Sequence, residues 1–594
     1  MTEATGITAH MTDPAFLGVE ASATGRRWTG PGVEVERIGL AIAQRLDGPE
    51  ILGRILAARG VALDDATAYL TPTLKALTPD PSALKDMDNA AETLVTAARN
   101  KSKIAIFGDY DVDGAASSAL LVDWLRAVGL TATVYIPDRI DEGYGPNVEA
   151  MTDLARSHDL IICVDCGTLS HEPIEAAVQT GAKVIVADHH LAGETLPICD
   201  AVVNPNRHDD ESGMGALCAA GVVFLLLIAA NRLRRKANET TPDLMGLLDI
   251  VALATVADVA QLTGLNRALV RQGLKVMAGR ERPGLRALAD VAGVNTQPNA
   301  FHLGYLLGPR VNAGGRIGKA DLGARLLSTR SPEEAEGLAH ELDRLNADRR
   351  QLEADILELA IEQAETRPTD GPLVWAAGEG WHPGVVGIIA ARMKEKFNRP
   401  AVVIGVENGD GKGSARSVNG VDLGSAIAAL AREGAIEKGG GHKMAAGLSV
   451  AADGIEAAMG RLAELLSKYQ DVISAPRTLR VDGVLSAEGA TPELIEMVET
   501  AGPFGAGAPA PRFAIAGARI AFGKRVGDDH FRATLEDASG ARLEAIAFRV
   551  MSTPLGVLLS ESRGRLHIAG RLEIDDWGGR RKAKLHIEDA AEVE

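Results

Sequence analysis

The sequence predicts an α/β protein of several domains: a doubly wound parallel sheet, a long connecting helix, a second and smaller α/β unit, and a C-terminal β-barrel. Three patterns predict it. Short apolar runs at 103–107, 131–136, 159–164, 182–187 and 200–204 alternate with helical stretches such as 115–127 and 172–180, the rhythm of repeated βαβ units. Leu338, Leu342, Leu345, Leu352, Ile356 and Leu359 are spaced by four, three, seven, four and three, so a helix over 331–366 carries one apolar stripe. Beyond Pro476 the helical period gives way to β-rich segments such as 530–536 and 565–574, with a short helix near 491–500.

In chain order, residues 1–35 lack a continuous apolar core and read as a flexible extension, not a secretion signal. Residues 36–100 read as a helical N-terminal cap broken by Pro72, Pro79 and Pro81. The parallel-sheet domain follows over 101–330 and the connecting helix over 331–368, a core element or strut, with coiled-coil dimerisation as the alternative. The second α/β unit occupies 369–470, and a small barrel such as an OB-fold occupies 476–594.

Composition narrows the function. A chain of 594 residues exceeds a single core, and 46% hydrophobic with 24% charged residues excludes a disordered or fibrous protein. A net charge of −18 argues against broad adhesion to nucleic acid but leaves room for a narrow basic groove. Four cysteines point to a reducing compartment. Cys163 and Cys166 straddle a strand end, where odd spacing predicts opposite faces and speaks against a zinc or redox pair. The apolar run 216–230 is too short to span a bilayer and reads as a buried helix, so no membrane is involved and the location is cytoplasmic.

The acids carry the chemistry. "GDYDVDG" resembles the start of a calcium loop, but the twelfth position from Asp109 is Leu120 and a strand, not a helix, precedes it. In open α/β sheets ligands gather at the carboxyl ends of strands. Asp109, Asp111 and Asp113 follow the first strand, Asp165 the third in "IICVDCG", and Asp188, His189 and His190 the fourth in "VIVADHH". Asp258 stands in the apolar helical run "ATVADVAQL". Any one of these alone would be a solvated loop end. Together they would repel each other unless divalent cations are bound. Carboxylates with imidazole and no thiolate suit Mn²⁺ or Mg²⁺, and two such ions support in-line hydrolysis of a phosphate ester or anhydride. His190 reads as a hydrogen-bonding neighbour of the ligands.

Rival signatures are missing: there is no H-E-x-x-H and no G-x-S-x-G, and "AGGRIGKAD" fails the phosphate-loop pattern at Ala313 and Ala320. Phosphate-binding candidates lie in "EKGGGHKMAAG", where Gly439, Gly440 and Gly441 precede His442, and in "GSARS" (Ser414, Arg416), "GWHPG" (His382) and "GPRVNAGGR" (Arg310, Asn312, Arg316). These glycine-flanked polar groups are expected on loops at a cleft.

Taken in order, "GDYDVDG", "VDCG", "DHH", "TVADV", "PRVNAGGR", "GWHPGVVGI" and "GGGHKMAAG" resemble the DHH phosphoesterases, in particular their single-strand-specific DNA exonucleases. "ILAARGV" and "AGPFGAGAPAPRF" extend the likeness over nearly the whole chain. The resemblance implies a DHH domain, a DHH-associated substrate-binding domain and an OB-fold that guides the strand. The implied activity is 5′→3′ hydrolysis of single-stranded DNA to 5′-mononucleotides in DNA repair and recombination. It further implies that Asp111 and Asp165 hold one Mn²⁺ (or Mg²⁺), that Asp113, Asp165, His189 and Asp258 hold a second, and that Asp109 and His190 assist catalysis. Arg310, Asn312, Arg316, His382, Ser414, Arg416, Gly440, Gly441 and His442 would grip the DNA phosphates. A RecQ-like helicase and a single-stranded-DNA-binding protein are the implied partners of a monomer. One departure concerns Ala508 and Ala510, where the family usually has Asn and Glu. Tyr110, Tyr144, Phe301, Tyr305 and Trp381 are candidates for base stacking or for packing. Two other readings are a hydrolase of small phosphate substrates, which would need no cap or barrel, and a non-catalytic scaffold, which would lack metal ligands.

Overall fold

Regular structure begins within the expected extension. The computed structural model describes residues 14–138, 142, 143, 145–575 and 581–593, and strand β1 (Arg26–Thr29) already belongs to a sheet. The chain forms two compact units: Met1–Leu77 with Leu262–Ala268 and Pro476–Glu594, and Thr78–Gln261 with Leu269–Ala475. The 36–100 region is therefore divided. Helices α1 (Val33–Leu46) and α2 (Glu50–Ala57) bury Ile42, Ile55 and Leu56 beside Val498, Ala501 and Phe513, whereas α3 (Met87–Arg99) falls in the other unit and packs on the helix over 219–236. The proline-rich stretch 79–81 interrupts the helical run, leaving two apolar faces free to find different cores.

The second unit contains the expected parallel sheet, in the order β3-β2-β4-β5-β6, from β2 (Ile104–Gly108), β3 (Ala132–Tyr135), β4 (Leu160–Val164), β5 (Lys183–Ala187) and β6 (Ala201–Val203). β2 and β4 are buried along their whole length, which is why they read as unbroken apolar runs. α4 (Val112–Ala127) follows β2, α5 (Val148–Ser157) precedes β4, and α6 (His171–Thr180) follows β4. The apolar run after 216 is α7 (Ala219–Lys236), a largely buried helix. Among the described residues no helix is long and apolar enough to cross a membrane. Cys163 and Cys166 do not face opposite ways. Both are buried in one cluster with Phe107 and Val186, because β4 ends at Val164 and Asp165 turns the chain with φ 59°.

After α8 (Leu248–Ala257), α9 (Gly264–Ala278) and α10 (Gly308–Ile317), α11 (Pro332–Glu365) runs as one long helix, its start capped by Ser331, which accepts the Glu334 N–H at 3.2 Å. Leu338, Leu342 and Leu345 are buried as expected, but Leu359 is 53% exposed. In the C-terminal half the buried side is Ile356, Ala360 and Ala364, which pack on the next sheet, so the stripe rotates when the helix changes neighbours. That sheet has the order β10-β11-β9-β8-β7, from β7 (Val374–Glu379), β8 (Ala401–Glu407), β9 (Asp410–Arg416), β10 (Lys438–His442) and β11 (Ala445–Ala451); only β7 and β8 are parallel. α12 (Pro383–Phe397) packs against β8 and β9, and α13 (Leu423–Arg432) against β10.

The C-terminal strands are β12 (Arg477–Arg480), β13 (Gly483–Leu485), β14 (Phe513–Val526), β15 (His530–Glu536), β16 (Arg542–Ala547), β17 (Leu566–Asp575) and β18 (Lys582–Glu592). The fourteen-residue β14 pairs with both β15 and β17, closing the sheet into a barrel. β1 runs parallel to β12, and the buried Asp589 accepts from Ser22 Oγ at 2.6 Å and Trp28 Nε1 at 3.0 Å, fixing residues 22–29 to this unit. The departure at Ala508 leaves the turn intact: Gly505 and Ala508 exchange both backbone hydrogen bonds, at 2.9 and 3.1 Å, and Ala508 is buried.

Candidate metal centre and nucleic-acid interface

The sheet delivers acids to one rim. β2 ends at Gly108, and the chain enters α4 so tightly that a Cβ on Gly114 would collide with the Asp109 backbone. Asp111 caps α4, accepting the N–H groups of Asp113 (2.8 Å) and Gly114 (3.2 Å). Asp113 is buried and accepts the N–H groups of Ala219 (2.6 Å) and Ala220 (2.8 Å) at the start of α7, where the helix end favours negative charge. Asp165, also buried, leaves β4 in the left-handed region, a conformation costing about 1–2 kcal/mol for a residue with a side chain. Asp258 is the C-cap of α8.

These groups converge on His189. Its Nε2 lies 3.3 Å from Asp165 Oδ1 and 3.7 Å from Asp113 Oδ2, and its Nδ1 lies 3.8 Å from Asp258 Oδ2. Three sets of ligand atoms are mutually within 4.8 Å: Asp109, Asp111 and Asp165; Asp113, His189 and Asp258; Asp165, His189 and His190. Burial, and then the neighbouring Asp113 and Asp111, push Asp258 up to about 8. Asp165 is driven well above the carboxylate range by burial and by Asp113, Asp111, Asp109 and Asp188. Such a cluster is costly as bare anions and suits hard cations: every donor is a carboxylate or an imidazole, and burial pushes the nearby Cys166 and Cys218 thiols up, away from the thiolate form a softer metal would use.

Asp188, legible in the sequence as a strand-end acid but without an assigned role there, is a working group of the site. It is buried and accepts the N–H groups of His189 (2.7 Å), His190 (3.2 Å) and Thr168 (3.1 Å), and its Oδ1 lies 2.8 Å from His190 Nδ1. Burial alone would lower His190, but the Asp188 hydrogen bond and charge override it and raise the imidazole to about 9. Asn204, after β6, donates to Thr168 Oγ1 and His190 O, both at 2.8 Å, and Asn206 donates to His189 O at 2.6 Å. The strand-end rule that found Asp165 applies equally to Asn204.

The phosphate-binding candidates are not on loops. Arg310, Asn312 and Arg316 lie on α10, Ser414 and Arg416 on β9, and Gly440, Gly441 and His442 on β10, while His382 is the N-cap of α12. The glycines between them serve close packing: a Cβ on Gly315 would come within 2.7 Å of Tyr110 Cβ. Arg310 is buried and donates to Asp343 at 2.8 Å. Asn312 Oδ1 accepts the Val112 N–H at 2.9 Å, bracing the start of α4, where Asp111 is the N-cap and Asp113 lies in the first turn. Arg316 donates to Gly384 O at 2.9 Å, in the first turn of α12. Register places Arg416, Ala445 and His442 in one row across the sheet and Ser414, Gly447 and Gly440 in the next alternate row, so the polar groups share a face. Of the aromatic candidates, Tyr144 lies outside the described residues, Tyr110 packs on Gly315, and Phe301 and Tyr305 are exposed and stacked at 5.1 Å.

Two α/β units with an acid-rich rim define a DHH-type phosphoesterase core, and residues 103–255 match the DHH family, N-terminal domain, while 370–473 match the DHHA1 domain. Residues 481–589 match the RecJ OB domain. The chain is 37% identical over 565 residues to the single-stranded-DNA-specific exonuclease RecJ of Salmonella typhimurium, covering 91% of this chain and 96% of that protein. It is 37% identical over 562 residues to RecJ of Escherichia coli, with the same coverage. The crystal structure of RecJ from Thermus thermophilus in complex with Mn²⁺ superposes with a TM-score of 0.80 at 29% identity, over 96% of this chain and 80% of that one; its Mg²⁺ complex gives 0.75 at 28%. This chain belongs to the RecJ family of single-stranded-DNA-specific exonucleases.

Proposed function

We propose that the chain is a metal-dependent 5′→3′ exonuclease that hydrolyses single-stranded DNA to 5′-mononucleotides. The observation that carries this reading is the convergence of carboxylates from separate strand and helix ends on His189. Asp111 and Asp165 would hold one divalent ion, Mn²⁺ or Mg²⁺, and Asp113, Asp165, His189 and Asp258 would hold a second, with Asp109 steadying the first set. Divalent ions bound there would supply an activated water and neutralise charge for hydrolysis of a phosphate ester. The chain's own groups do the rest. His190, kept charged by Asp188, donates to a phosphate oxygen. Ser414, Arg416, His442 and the Gly440–Gly441 backbone take phosphates along the strand, His382 joins them from the start of α12, and Arg310, Asn312 and Arg316 hold the parts of the cleft in place.

Catalysis is assigned to 101–330, the strut to 331–368, phosphate binding to 369–470 and strand guidance to 476–594. Because duplex DNA has to be opened first, a RecQ-like helicase and a single-stranded-DNA-binding protein are the expected company of a monomeric enzyme in repair and recombination. The test is release of label from a 5′-labelled single strand in Mn²⁺. Asp165→Ala is expected to lower turnover more than about 100-fold, beyond the usual effect of residues that only support ligands. Undiminished release in that variant, or label released only from 3′-labelled strands, overturns the reading.

A further inference from the structure

The two helices that bring acids to the site meet again at their far ends. α4 starts from the N-cap Asp111 with Asp113 in its first turn, α8 ends at the C-cap Asp258, and the two pack against each other. Asp123 stands near the last turn of α4 and Asp249 in the first turn of α8, each only 4% exposed. Arg282, at the start of the helix Pro283–Val291, bridges them: its Nη1 donates to Asp123 at 2.8 Å and its Nε to Asp249 at 2.9 Å. A third bond, from Nη1 to Leu327 O at 3.1 Å, ties the guanidinium to the neighbouring backbone.

The helices are therefore antiparallel and tied at both ends, within one compact unit. At one end Asp113 Oδ2 and Asp258 Oδ2 lie 3.7 and 3.8 Å from the His189 ring nitrogens, and at the other stands Arg282. The arms match in length: Asp123 is ten positions from Asp113 and Asp249 nine from Asp258, about 15 and 14 Å at the helical rise. A helix is stiff along its axis, so a slip at the clamp reaches the acids. Asp123 also accepts from Arg126 at 2.8 Å and Arg330 at 3.2 Å, but among the described residues Asp249 meets no other cation. Burial pushes the Asp249 carboxyl up, and Arg282 is the strongest influence against it. Without the guanidinium a buried carboxylate is left uncompensated, and α8 is drawn towards water.

We infer that Arg282 is a positioning residue for the metal centre: by cross-linking the ends of α4 and α8 remote from His189, it sets the separation of the Asp113 and Asp258 carboxylates. Arg282 touches neither ion nor substrate. This role rests on the reading of Asp113 and Asp258 as metal ligands, and the experiment separates the two. Arg282 and Asp249 line a cavity of about 540 Å³ whose rim carries the exposed Asn295, Thr296 and Gln297, so a small cation can reach the space that a shortened side chain leaves.

Mn²⁺ binding to the full chain is measured by titration calorimetry below the melting transition of each variant. Arg282→Ala is expected to weaken binding about tenfold, the scale of coupling carried through packed helices. Millimolar guanidinium chloride is expected to return that variant to within about twofold of wild type and to leave the wild-type chain unchanged, because the free cation presents the same donors to both carboxylates. An arginine that only stabilised the fold would lower the melting temperature and leave the affinity of the folded chain alone. Wild-type affinity in folded Arg282→Ala while Asp258→Ala loses binding overturns this inference and leaves the ligand reading standing, as does a loss that guanidinium fails to repair. Wild-type affinity in Asp258→Ala removes the ligand reading and this inference with it. Should Arg282→Ala not fold, Arg282→Gln, whose amide can donate to only one of the two carboxylates, is expected to show the same loss; normal affinity in that folded variant overturns the proposal.

Discussion

At His190, the Asp188 carboxylate does most to raise the imidazole, with Asp109 and Asp258 adding to it against burial. Asp188 is held by three backbone N–H groups, so it cannot turn away, and its oxygen 2.8 Å from Nδ1 keeps His190 charged to about pH 9. Asp188→Asn preserves shape but removes the charge. Turnover is expected to fall about 10–100-fold, and the His190 titration, followed by NMR, to move down towards the ordinary histidine range. The acid cluster also sets a pH dependence. A carboxyl raised in the folded state favours the metal-free fold below its unfolded value, and that contribution is lost as the pH climbs; for Asp258 the window runs from 3.8 to about 8. Bound cations remove the repulsion, so the rise in melting temperature produced by saturating Mn²⁺ is expected to be larger at pH 8.5 than at pH 6, with protons released on binding. An equal rise at both would contradict it.

Among the elements, α10 makes the clearest case of a device the sequence conceals. "GPRVNAGGR" has the composition of a loop, yet it is helical, its glycines chosen for close approach to Tyr110 and Leu342. Within it Asn312 accepts the Val112 N–H at the entry to α4, so it steadies two acids at once. Asn312→Ala is expected to weaken Mn²⁺ binding about tenfold with little change in the KM for a long strand, measured by titration and steady-state kinetics; a KM effect alone would make it a DNA contact instead. The parallel strands were legible because burial on both faces leaves an all-apolar signature, and the acids were legible because strand ends are where such sheets bind ligands. What was not legible depended on tertiary partners: which face of α11 turns inward near Leu359, where Cys166 points after the Asp165 turn, and that β9 and β10 carry the phosphate-binding candidates as strands.

On the scale of the whole molecule, the two ends of the chain build one unit. β1 pairs with β12, and Trp28, fully buried, reaches Asp589 near the other terminus. Nothing in "RRWT" announces this, because a four-residue strand whose partner lies some 450 positions away has no local signal. Trp28→Ala leaves both a cavity and a buried carboxylate short of a donor. It is expected to cost about 3–5 kcal/mol, read as an earlier transition for this unit in chemical denaturation, while Mn²⁺ binding to the unit carrying Asp165 persists. Every catalytic role assigned to the chain requires ions lying among Asp111, Asp113, Asp165, His189 and Asp258. Anomalous diffraction from crystals grown with Mn²⁺ tests this most directly. Two manganese peaks bridged by Asp165 are the predicted result, and a map with no peak between Asp165 and His189 would contradict it.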